Sequence, residues 1–160
     1  AYGASEMSLP QGITLCGQGK DMYLKIQPAA ETEKLYESEI LRENIAPGEK
    51  IRFDLKKRAY RIEIKSDSAE FCLDVFGLKM CGNAKNSRLT AGDAIIPLDG
   101  DKTDIIAIFD KCSVEIYVDG GKRFTTVSHE CNYDRADLEF GSGGKTQKLS
   151  VIELKNLFAE

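Results

Sequence analysis

Few side chains in this sequence have the type and spacing for chemistry. Asp99-Gly100-Asp101-Lys102-Thr103 follows the apolar run Ala94-Ile-Ile-Pro-Leu98. It carries the residue types of a phosphotransferase nucleophile loop, in which one carboxylate attacks phosphorus and a second moves a proton. That chemistry sits at the end of a parallel strand in an α/β fold, and the chain has too little helix to build one. The same oxygens could hold Ca²⁺, although a solvated turn has the same composition. Gly141-Ser-Gly-Gly-Lys145-Thr146 suggests a phosphate cradle, but the leading glycine of GxxxxGK[ST] would fall at Glu139. A glycine-rich turn between two strands is the better reading. Ser128 and His129 invite a nucleophile and base, yet no serine lies in a GxSxG elbow and His129 is the single histidine. With 26 acidic residues, pairing of carboxylates has no specificity. No catalytic residue, metal ligand or cofactor site is assigned.

The residues with a stronger claim lie on a hairpin. In Val114-Glu115-Ile116-Tyr117-Val118 the side chains alternate in direction, so Val114, Ile116 and Val118 share a core face. Glu115 and Tyr117 point the other way. With Asp110 and Arg123 at the ends of the hairpin, they form a candidate carbohydrate-binding surface, because a sugar needs convergent hydrogen-bonding groups beside an apolar or aromatic surface. The absence of Trp weakens that reading. A solvated face, or an Asp/Glu pair with Arg123 inside the chain, accounts for the same residues.

The elements that must position these side chains are strands. Ile105-Ile-Ala-Ile-Phe109, Val114 to Val118 and Phe124-Thr-Thr-Val127 form the clearest unit, with Asp119-Gly120-Gly121 supplying the positive φ of a tight turn. Further strands are expected at Ile51 to Asp54, Tyr60 to Lys65, Phe71 to Phe76, Asp137 to Phe140 and Leu149 to Leu154. Ile13 to Cys16 and Met22 to Ile26 make an opening pair. Only Pro28 to Tyr36 has helical character. This density of strands with one short helix near the N-terminus predicts an all-β fold, a two-sheet antiparallel sandwich of the jelly-roll or concanavalin type. Residues 13–160 form that domain. Residues 1–12, rich in small side chains, read as a connector or cap.

The chain has 160 residues, 30% of them charged, and a net charge of -4 that is spread along it. Nothing in that distribution asks for nucleic acid or an anionic membrane, and no apolar run approaches the length of a membrane span. The five cysteines, Cys16, Cys72, Cys81, Cys112 and Cys131, lack metal-site spacing. They read as buried small hydrophobes, which favours a cytosolic location, with one pair such as Cys72 and Cys81 left open as a disulfide.

The hairpin carries a further pattern. Asp110-Lys-Cys-Ser-Val114-Glu115-Ile-Tyr117-Val-Asp-Gly120-Gly121, followed by Phe124-Thr125, resembles the D-x-S-[SV]-V-E-[VI]-F-[VA]-N-x-G…[FV]-T stretch in the C-terminal sandwich of glycoside hydrolase family 32, the invertases, sucrose-6-phosphate hydrolases, levanases and inulinases. Met7-Ser-Leu-Pro10 with Ile13-Thr-Leu15 is similar to the passage leaving the catalytic propeller of that family. Pro28-Ala-Ala-Glu-Thr-Glu-Lys-Leu35 and Ile152-Glu-Leu-Lys-Asn-Leu157 resemble its next segment and its final strand. Gln11, Cys112 and Tyr117 depart from the usual Arg, Ser and Phe. The resemblance implies a non-catalytic accessory domain, because the family's W-M-N-D-P-N-G, R-D-P and E-C-P motifs belong to a preceding propeller and none occurs here. His129-Glu130-Cys131-Asn132 has Glu-Cys without the following Pro and reads as coincidence. The implied partner is a propeller in the same polypeptide. Related levan-binding modules make a fructose-containing carbohydrate the alternative partner.

Overall fold

The computed structural model describes residues 9–56, 59–110, 113–129 and 137–155. Period-two alternation of burial along the strands separates a core face from an outer face. In Phe71–Val75 it is Phe71, Leu73 and Val75 that are buried, and in Leu78–Asn83 it is Leu78, Met80 and Gly82. The strands are β1 Gln11–Cys16, β2 Tyr23–Pro28, β3 Tyr36–Ile45, β4 Lys50–Asp54, β5 Tyr60–Ser66, β6 Phe71–Val75 and β7 Leu78–Asn83. They continue as β8 Arg88–Ala91, β9 Ala94–Pro97, β10 Thr103–Phe109, β11 Ser113–Val118, β12 Arg123–Ser128, β13 Asp137–Ser142 and β14 Thr146–Leu154.

Two six-stranded antiparallel sheets pack face to face. One has the order β12-β11-β10-β5-β14-β3 and the other β4-β13-β6-β7-β8-β9. Their inner faces share one core, with Ile62, Ile64, Ile105 and Ile116 from the first meeting Leu73, Met80, Leu89 and Phe140 from the second. Each such side chain contributes about 1.5 to 3 kcal/mol on burial. A second, smaller apolar layer covers the outer face of the first sheet. There Ile108, Tyr117, Ile152 and Leu154, with Phe124 beside Tyr117 on β12, pack against Leu9, Ile26 and Leu35. The sandwich expected from the strand pattern is therefore present, with this extra layer added to one side.

The helical segment is a 3-10 helix, Ala30–Leu35, and Gly19–Asp21 is a single 3-10 turn, whereas Asp119–Gly121 is a tight turn whose three residues all have positive φ. Four strands had no clear counterpart in the sequence pattern. β3 is exposed at most positions, with only Ile45 buried, so its apolar residues show no period. It exists because β14 pairs along its whole length. The β6–β7 turn places Phe76 at φ 51, a conformation favoured by glycine and asparagine, so the turn chemistry there is masked by an aromatic that packs on Tyr60. β8 and β9 are four residues each and too short to declare themselves.

The expectation of buried free thiols fails for Cys72 and Cys81. They are directly opposed on β6 and β7, on the outer face of the second sheet, and form a disulfide with Cα atoms 4.2 Å apart. Cys16 is free and half-buried, and Cys112 and Cys131 lie outside the described residues.

Candidate docking surface

β1 and β2 form a two-stranded ribbon apart from both sheets. Directly opposed residues on an antiparallel pair share a face, so Ile13 with Ile26 and Leu15 with Leu24 make one apolar face. The base of the ribbon is anchored. Ile26 packs into the second apolar layer, and the Ala29 N–H donates to the Pro10 carbonyl at 2.8 Å. The distal part is open, with Ile13 64%, Leu15 65%, Leu24 56% and Met22 55% exposed. A two-stranded ribbon is marginal by itself, and a contiguous set of large apolar side chains in water marks an interaction surface.

The outer-face residues of the hairpin are what hold this ribbon. The Leu9 N–H donates to Glu115 Oε1 at 2.8 Å, the Tyr117 hydroxyl donates to Glu115 Oε2 at 2.6 Å, and Gln11 Nε2 donates to the Tyr117 hydroxyl oxygen at 3.3 Å. Burial, followed by the hydrogen bond to Glu115, pushes the Tyr117 phenol up, so it remains a donor throughout the working pH range. The Tyr117 ring sits 4.9 Å from that of Phe124.

A second anchor lies at the β11–β12 turn. Gly121 has φ 94, and a Cβ there would stand 2.1 Å from the Ile26 carbonyl oxygen, so only glycine lets the turn approach β2. Lys122 Nζ donates to Asp99 Oδ2 at 2.6 Å and stands 5.4 Å from the centroid of the Tyr23 ring, on β2. Arg123 bridges Asp99 and Asp119, at 2.5 Å to the latter. The Arg123 and Lys122 hydrogen bonds hold the Asp99 carboxyl at about 2. The Asp99 loop thus serves as an electrostatic tie between the 98–102 connection, the hairpin turn and the ribbon.

The structure does not bring the four sugar-facing candidates together on an open surface. Glu115 and Tyr117 do face outward from the sheet, but the ribbon and its lead-in cover them to 5% and 1% exposure. Arg123 is engaged by Asp99 and Asp119, the intramolecular pairing that its composition also allowed. Asp110 is exposed at the opposite end of β11 from Arg123, roughly 17 Å away at the rise of an extended strand. The ribbon itself had a signal in the sequence, Ile13-Thr-Leu15 and Met22-Tyr-Leu24, but alternation alone does not distinguish a core-facing strand from a solvent-facing one. The run from Gly141 to Thr146 spans the end of β13, the turn at Gly143 to Lys145 and the start of β14, so the glycine-rich turn between two strands is present, and His129 Nε2 lies 3.4 Å from the Phe76 carbonyl oxygen. Glu130 to Asn132, Met7 and Ser8 lie outside the described residues. Among those described, no helix is long and apolar enough to cross a membrane.

Neither any family model nor any curated protein sequence matches the chain. Solved structures do. The exo-inulinase from Aspergillus awamori superposes with a TM-score of 0.74 at 13% identity over 94% of this chain and 36% of its own. The sucrose-6-phosphate hydrolase from Lactobacillus gasseri gives 0.73 at 15% identity over 91% of this chain and 33% of its own. A glycoside hydrolase family 32 structure from Bifidobacterium adolescentis gives 0.66 at 16% identity, over 94% and 26%. At this identity the likeness is one of fold: the chain has the β-sandwich that these family 32 hydrolases contain, as the hairpin resemblance implied. It spans well under half of their length.

Proposed function

We propose that this chain is a non-catalytic β-sandwich domain of a longer fructan- or sucrose-hydrolysing glycosidase, and that it stabilises a catalytic propeller in the same polypeptide. The observation that carries the reading is the exposed apolar face of the ribbon, Ile13, Leu15, Met22 and Leu24. Support comes from the match to part of much longer hydrolase chains. Covering half of an Ile or Leu side chain is worth about 1 kcal/mol, so a partner seated on the four residues gains about 4 kcal/mol. Glu115 and Tyr117 then act by fixing where that face stands. The chemistry of the polypeptide resides in the propeller, and Asp110 and Arg123 take no part in it.

The test is Leu15→Asp with Leu24→Asp in the full-length polypeptide. The expected result is a lower thermal midpoint and faster loss of sucrose or inulin hydrolysis on warming, with KM unchanged at low temperature. Unchanged midpoint and unchanged inactivation would overturn the reading. Calorimetry of the chain with fructose, sucrose, inulin and levan is the companion measurement. Saturable heat at millimolar sugar would instead favour a carbohydrate-binding module.

A further inference from the structure

The outer face of the second sheet carries an open groove of about 610 Å³. Its floor is a single cross-strand row, Lys50–Gly141–Cys72–Cys81–Thr90–Ile95, one residue from each of β4, β13, β6, β7, β8 and β9. The Cys72–Cys81 disulfide lies at the centre of that row, with Cys72 exposed and Cys81 half-buried. Side chains of neighbouring strands ordinarily cover each other at directly opposed positions. Here the neighbour of Cys72 on β13 is Gly141, which has no side chain, and the neighbour of Cys81 on β8 is the short Thr90, whose Oγ1 is turned down onto the Cys81 carbonyl at 3.2 Å. Neither strand neighbour thus sets a long side chain over the disulfide, and Cys72 is open to solvent.

The two strands joined by the disulfide are also held by other connections. β6 and β7 are already joined by the turn at Phe76 and Gly77, are paired along five positions, and are flanked by β13 and β8. Phe71, Leu73 and Met80 bury the opposite face of the same two strands.

We propose that Cys72–Cys81 is a thiol-exchange site, opened by a low-molecular-weight thiol of the glutathione type while the sandwich stays folded. The thiolate attacks Cys72 Sγ, the Cys72–Cys81 bond breaks, and Cys81 Sγ leaves as a thiolate that takes a proton from water. A second thiol attacks the glutathione sulfur of the mixed disulfide, forming oxidised glutathione and releasing Cys72 as a thiol. Two thiols are oxidised and one protein disulfide is reduced. The site is independent of the proposed docking role, since the ribbon lies against the other sheet.

The experiment exposes the native protein to millimolar reduced glutathione, quenches with N-ethylmaleimide at intervals, and maps the peptides bearing Cys72 and Cys81 by mass spectrometry, alongside near-ultraviolet circular dichroism. The expected result is a glutathione adduct on Cys72 at early times, two alkylated cysteines at late times, and an unchanged dichroism spectrum. Gly141→Val places a branched side chain beside Cys72, where a Cβ has ordinary clearance, and slows the native reaction several-fold without altering the reaction in urea. A disulfide that reacts only in urea, or a spectrum that collapses as the bond opens, would overturn the proposal. The wild-type comparison decides between these outcomes even if the valine variant fails to fold.

Discussion

Glu115 shows how a single residue changes meaning once its surroundings are known. On the hairpin it is a carboxylate facing away from the core, and such a group is open to solvent or sugar. In the folded chain its two oxygens are occupied by the Leu9 N–H and the Tyr117 hydroxyl. Glu115→Ala leaves the buried Tyr117 hydroxyl and the half-buried Leu9 N–H without this acceptor and is expected to cost about 2 kcal/mol, against about 1 kcal/mol for Tyr117→Phe, as measured by urea unfolding. Asp99 gives a pH dependence. Its folded pKa of about 2 lies below the ordinary 3.8, so its stabilising contribution is present above 3.8 and is lost as pH falls toward about 2. The wild-type thermal midpoint should fall across that interval more steeply than the midpoint of Asp99→Asn. The Glu115–Leu9 pairing is not legible from spacing, since the two are 106 positions apart.

Among the elements, the turn between β11 and β12 has two glycines with different duties. Gly120 has φ 66 with open space around it, whereas Gly121 combines φ 94 with the close approach to Ile26. Gly120→Ala should cost about 1 kcal/mol, the left-handed penalty alone. Gly121→Ala should cost more than about 2 kcal/mol and loosen β2, because the turn and the ribbon cannot both keep their places. Urea midpoints of the two variants, with the exchange of the β2 amides, check the difference. The β10–β11–β12 unit was legible because alternation and turn glycines agree there. β3 was not, because an exposed edge strand depends on its partner and carries no period of its own.

For the whole molecule, the two sheets close a core within the described residues, and the ribbon stands outside it. The ribbon substitutions proposed above should therefore change the unfolding free energy of the isolated chain by no more than about 1 kcal/mol, since they alter side chains that are more than half exposed. Their effect should appear only in the full-length polypeptide. The contrast separates a docking surface from a structural element, with chemical denaturation of the chain and thermal inactivation of the long form as the paired measurements.

The sandwich was legible in local patterning. Period-two patterns and turn glycines are local properties, and the hairpin from Asp110 to Gly121 carried enough of them to indicate the fold that the solved hydrolase structures share. What each outer face meets is settled only once distant segments have packed. Which face of a sheet meets water depends on whether another segment returns to cover it. The first sheet is covered by residues from the beginning of the chain, so Glu115 and Tyr117 become anchors. Among the described residues no segment returns over the second at Cys72 and Cys81, which lie in a row between Thr90 on the next strand and Gly141, which comes from far along the chain.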